Sequence, residues 1–142
     1  MSSVSEGEKV VIDSIRSAGD DLRSIMNDEA KIRDIDLIWK VYAKVELAIG
    51  IGKYLVTQED RLGRLNELRS SITNDPAIMP LDTLKKNLLQ CESELEYAEY
   101  DFETTGGTQA GLQAARRCRD SLKSLLLGHR KNVRGRLRRG KK

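Results

Sequence analysis

Five basic residues, Arg116, Arg119, Lys123, Arg130 and Arg134, recur at intervals of three, four, seven and four. On a helix that spacing gathers most of the charge along one side. Arg117, Lys131, Arg136, Arg138, Arg139, Lys141 and Lys142 thicken the field, and the closing stretch "HRKNVRGRLRRGKK" holds eight Lys or Arg and no acid. The chemistry such a set can do is phosphate recognition: guanidinium groups engage phosphate oxygens in pairs, and each neutralised phosphate releases counterions. Leu122, Leu126, Val133 and Leu137 interleave with the charges. They predict a helix that docks one side on a bundle or a partner and turns the other to a phosphate backbone. The aromatic residues Trp39, Tyr42, Tyr54, Tyr97, Tyr100 and Phe102 all lie upstream, so the expected binding to DNA or RNA is sequence-tolerant. A solvated terminus or a localisation-type run is the plainer reading of the same residues.

Other reactive types are sparse. Glu92, Glu96, Glu99 and Glu103 share a helix face, but a carboxylate-bridged metal pair in a bundle needs Glu-x-x-His motifs, and His129 is the one histidine. With Glu94 and Asp101 nearby, these acids are expected either to pair with Arg116, Arg117 and Arg119 across the "TTGG" turn or to repel nucleic acid from the body and so orient it. Cys91 and Cys118 fall on apolar stripes, which predicts buried thiols near one another across a hairpin, not a disulfide. No Ser-His-Asp set can be assembled around His129. "GIGKY" at 50–54 lacks the first glycine and the hydroxyl of a phosphate loop, and "TQEDRLGRLNELRSSI" lacks the turn and recognition helix of a helix-turn-helix. No catalytic residue, metal or cofactor is therefore expected.

Of 25 basic residues, 8 lie between Arg130 and Lys142, leaving 17 against 22 acids in the remainder, a balance near −5 beneath a net +3. A negative body with a positive end attracts polyanions at one end only. The N-terminal "MSSVSEGEKVV" has no apolar core of a secretory signal, which predicts an intracellular protein. The most apolar window, Leu37 to Val56, carries Lys40, Lys44, Glu46 and Lys53 and reads as an amphipathic helix, not a membrane span.

The elements that must carry these residues are helical. Aromatics at 4% and two prolines, against abundant Leu, Ala, Glu, Lys and Arg, favour long helices over strands. Ser5 and Glu8 fit a capping box for a first helix from about Glu6 to Met26. Asn27 or Asp28 would cap a second, with Ile32, Ile35, Ile38, Tyr42, Val45, Ile49 and Val56 on one broad stripe. Gly50 and Gly52 inside it predict a bend or a close neighbour. A further helical period starts at "TQED" and runs through Leu62, Leu65, Leu68 and Ile72, either separate or continuous with the second. "TNDPAIMP" at 73–80 is the clearest break, after which Leu81, Leu84, Leu88, Cys91, Leu95, Ala98 and Phe102 step by three and four. "TTGGT" at 104–108 predicts a reversal into a last helix with Leu112, Ala115, Cys118, Leu122, Leu125, Leu126, His129, Val133 and Leu137 on its seam.

The expected architecture is all-α: an up-and-down bundle of four to five helices over 1–129 with a basic C-terminal helical extension over 130–142. The stretch "FETTGGTQAGLQAARRCR", residues 102–119, resembles the glycine turn and arginine-bearing helix of cob(I)alamin adenosyltransferases. It spans about an eighth of the chain, and that family's N-terminal phosphate-binding stretch has no counterpart in "MSSVSEGEKVV". The resemblance implies a helical-bundle fold by analogy and, as a remote alternative, a bundle enzyme. The expected function is non-enzymatic nucleic-acid binding, as a homo-oligomer whose repeated subunits multiply phosphate contacts. An adaptor for a helical protein or an anionic membrane surface is the alternative.

Overall fold

The structure, a computed structural model, describes residues 6–56 and 71–139, with side chains through 135. It contains α1 (Glu6–Met26), α2 (Glu29–Ile32), α3 (Ile35–Leu55), a 3-10 turn (Ile72–Asn74), α4 (Leu81–Thr105) and α5 (Gln109–Arg139). No strand occurs among the described residues. The chain is an all-helical bundle.

The four long helices form a ring in the order α1, α3, α5, α4. Neighbours run antiparallel. Arg16 meets Glu99 and Glu103 while Arg23 meets Glu92 and Glu96, which fixes α1 against α4. Glu46 meets Arg119 and Gly52 lies beside Leu112, which fixes α3 against α5. Diagonal α3 and α4 consequently run parallel, so α3 ends and α4 starts at opposite ends of the bundle. In chain order the long helices point up, down, down and up, as two hairpins joined by one crossover.

The core follows the predicted spacing. Val11, Ile15, Ala18 and Leu22 of α1 face Ile38, Val41 and Val45 of α3, and with Leu84, Leu88, Leu95, Ala98 and Phe102 of α4 they are almost wholly buried. Each such Leu or Ile contributes roughly 1.5–3 kcal/mol. Exposed ion pairs contribute about 0–1 kcal/mol each. The apolar seams therefore decide the fold, and the charges select among docking arrangements.

The expected second helix is corrected at one point. It breaks at Arg33 and Asp34, which separate α2 from α3. Asp28 caps α2, accepting from the Ala30 N–H at 2.9 Å, and Asp34 starts afresh by accepting from the Asp36 N–H at 2.9 Å. Arg33 is drawn off to the chain beyond the crossover, where its Nη1 donates to the carbonyls of Pro76 at 3.1 Å and Met79 at 2.8 Å. Helix α3 then ends at Leu55, with Val56 in an extended conformation. The Ser5 half of the capping box and the helical period from "TQED" through Leu68 lie outside the described residues. Ile72 belongs to the 3-10 turn.

At the α4–α5 reversal, Gly106 and Gly107 take φ of 79° and 111°, the left-handed region that side chains disfavour. The buried Asp101 carboxylate staples the turn, accepting from the Thr108 N–H at 2.7 Å and from the Thr108 hydroxyl at 2.8 Å. The ring of Phe102 packs under Gly107 and against Gly52, which answers why α3 carries a glycine there. No side chain or backbone crowds Gly50.

Candidate nucleic-acid interface

Helix α5 passes position 130 without a break and is the longest element, 31 residues. Leu112, Ala115, Cys118, Leu122, Leu125 and Leu126 are buried against α3 and α4. The seam leaves the core beyond His129, because Val133 is exposed.

Here the connection from 71 to 79 takes over as the packing partner. Gly128 permits this: a Cβ there would stand 2.7 Å from the Asn74 carbonyl carbon and 2.9 Å from the Ser71 oxygen, closer than atoms pack. Next to it Asp75, fully buried, binds His129 Nδ1 at 2.8 Å, the Asn132 side-chain amide at 2.6 Å and the Ala77 N–H at 2.9 Å. Burial pushes the Asp75 carboxyl up, but these donors outweigh it and hold the carboxyl below its ordinary value. Sequence reasoning treated Asp75 only as a turn residue. Its signal, an acid just before the first of the two prolines in the break and a histidine on the last seam, becomes legible only once the crossover is known.

The basic residues divide into two groups. Arg119 is mostly buried and ion-paired, to Glu46 at 3.1 Å and to Asp120 at 2.9 Å. Burial lowers its affinity for the proton, but the two carboxylates more than compensate and hold the guanidinium firmly charged. Tyr42 stands beside this cluster, its phenol pushed up by burial and then by Glu46. Arg117 is paired with Glu94 at 2.9 Å. The remaining α5 residues are disposed differently: among the described residues the side chains of Arg116, Lys123, Arg130 and Arg134 form no ion pair or hydrogen bond. At 100° per residue they lie within about 40° of one another along some 27 Å of helix. Arg130 and Arg134 are exposed, and Arg116 and Lys123 half-buried. Lys131 is exposed on the neighbouring strip. Arg136, Arg138 and Arg139 continue on the α5 backbone, but their side chains, like Lys141 and Lys142, lie outside the described residues.

The acidic stripe of α4 faces α1, not α5. Arg16 reaches Glu99 at 2.6 Å and also Glu103, and Arg23 reaches Glu92 at 3.2 Å and Glu96 at 3.6 Å. Of the expected pairings across the glycine turn, only that of Arg117, with Glu94, forms. The stripe is thus occupied by a different helix, and α5 keeps a cationic side. Among the described residues, no cluster of three His, Cys, Asp or Glu could hold a metal ion, and no helix is long and apolar enough to cross a membrane.

Cys91 and Cys118 meet as predicted. The Cys91 thiol donates to the Cys118 carbonyl at 3.5 Å, and burial pushes the Cys118 thiol well up, away from the reactive thiolate.

No protein-family model, curated protein or solved structure matches this chain.

Proposed function

We propose that this protein is a non-enzymatic nucleic-acid-binding bundle that grips the phosphate backbone with one side of α5. The observation that carries this reading is the division just described. Arg117 and Arg119 are consumed by Glu94, Glu46 and Asp120, whereas the side chains of Arg116, Lys123, Arg130 and Arg134 stand in line with no ion pair to an acid among the described residues. Holding four like charges in register on a rigid helix costs repulsion, which a polyanion relieves. The acidic stripe Glu92, Glu96, Glu99 and Glu103 is tied down on the α1–α4 side. Such contacts read the backbone and tolerate sequence.

Self-association is part of the proposal. The outer side of α4 leaves Leu89, Tyr97 and Tyr100 about half exposed or more, an apolar strip that a second subunit can cover. An intracellular setting suits the two unpaired thiols.

The test is fluorescence anisotropy of labelled DNA and RNA across a salt series, with the full chain and with R116Q/K123Q/R130Q/R134Q. Four phosphate contacts predict that log K falls against log salt with a slope steeper by about 3–4 in the unsubstituted protein. Equal slopes for the two proteins refute the assignment.

A further inference from the structure

We infer that the polyanion this face takes is single-stranded, with an unpaired base stacked on Trp39 and the adjoining phosphates held by Lys123 and Arg130. The inference rests on the phosphate-binding reading and adds a base-recognition element that the linear sequence kept apart from the basic helix.

Trp39 is 52% exposed although it belongs to the most apolar helix of the bundle. Its place on α3 is set by Glu46, seven residues on. Seven residues are two turns, so Trp39 and Glu46 point to within about 20° of the same direction. Glu46 reaches across to Arg119 at 3.1 Å, and Trp39 therefore lies along the edge of α3 that borders α5. Because the two helices run antiparallel, Trp39 comes level with the region seven residues beyond Arg119, about 10 Å further along. That level is Leu126, between Lys123 and Arg130. On α5, Lys123 and Arg130 each lie within about 40° of Arg119 around the helix, so they flank the same groove.

The ring is held for stacking. Trp39 meets Tyr42 edge-on, with centroids 5.5 Å apart and planes at 89°, and Tyr42 is itself wedged beside the Arg119 cluster. One edge of the indole is thereby braced while about half of it stays open. Further along the outer side of α3, Ala43 and Gly50 keep the surface low, and no atom would touch a Cβ at Gly50. Tyr54, 80% exposed and carrying Lys53 Nζ 5.2 Å over its ring, ends the run about 22 Å from Trp39. Two acids bordering the groove, Glu46 and Asp120, are both ion-paired with Arg119.

Aromatic rings beside a line of unpaired cations are what an unstacked strand requires, since every base offers a flat face and every linkage a phosphate. A duplex hides its base faces and could use only the cations.

Trp39 is the one tryptophan in the chain, so its emission reports directly on stacking. The experiment titrates oligothymidylate, and a duplex of equal length, into the full protein at low salt while following Trp39 emission. Labelled-oligonucleotide affinities are measured in parallel for wild type, W39A and W39F. The expected result is quenching by the single strand, a loss of about tenfold or more in single-strand affinity for W39A, substantial retention for W39F, and duplex affinity unchanged by either substitution. Single-strand binding that leaves the emission and the W39A affinity unchanged overturns the stacking inference but leaves phosphate binding intact. Failure of both strands to bind overturns the two together.

Discussion

The carboxylate of Asp75 and the ring of His129 meet at 2.8 Å across the boundary between the crossover and α5, where Asp75 is wholly enclosed. That contact, with Asn132 and the Ala77 N–H, ties the basic half of α5 to the turn that precedes α4. Asp75→Ala would strand three donors in a water-poor site. A loss of about 2–4 kcal/mol is expected from chemical denaturation, with reduced amide protection around His129 to Asn132.

The same carboxylate makes stability depend on pH in a determined direction. Its folded pKa lies below the ordinary value of about 3.9, so the folded state holds fewer protons than the unfolded chain in that range. The contribution is complete above about pH 4 and is lost as pH falls through the depressed folded value. Denaturation midpoints between pH 2 and 5 should fall more steeply for the wild type than for Asp75→Asn, which carries no titrating carboxyl at that position.

Two glycines of α5 should respond oppositely to alanine. At Gly128 the new methyl would meet Asn74 and Ser71 backbone at under 3 Å, and about 1–3 kcal/mol of stability should be lost. At Gly135 nothing lies within 4 Å, so alanine should gain roughly 0.5–1 kcal/mol from helix propensity alone. Thermal unfolding of both variants makes the comparison.

Arg119 separates structural arginines from those proposed to bind phosphate. Arg119→Ala would leave Glu46 and Asp120 facing each other, and about 1 kcal/mol of stability should go while the salt slope of nucleic-acid binding stays fixed. For Arg130→Gln the reverse is expected: unchanged stability and a slope reduced by about 0.9.

Asp101→Ala removes the staple of the α4–α5 turn. With the Thr108 N–H and hydroxyl both unpartnered, about 1–3 kcal/mol should be lost, read by urea denaturation.

Local periodicity was enough to place α1 at Glu6–Met26, to start α4 at Leu81 and to reverse the chain at Gly106 and Gly107, because each follows from side chains a few residues apart. It missed the break at Arg33, whose cause is carbonyls more than forty residues away. The acidic stripe was legible on α4, but assigning it to the arginines of the next helix assumed that sequence neighbours supply the partners. Arg16 and Arg23 stand seven apart, as do Glu92 and Glu99, and that shared interval was the overlooked signal. Among the basic residues, spacing grouped Arg119 with Arg116 and Lys123. Only the packing of α3 shows that Glu46 claims it. Trp39 was read as remote from the cations for the same reason, since proximity across antiparallel helices leaves no trace in local order.

The helix whose inner seam, Leu112 to Leu126, closes the core also carries the cations proposed to hold phosphate, beside that seam. On that proposal occupancy and folding are one linked equilibrium: a polyanion held in register by this face would select the ordered state and raise the melting temperature with its concentration. Partial unfolding of α5 would in turn release any strand so held, making the stability of the bundle the ceiling on its retention.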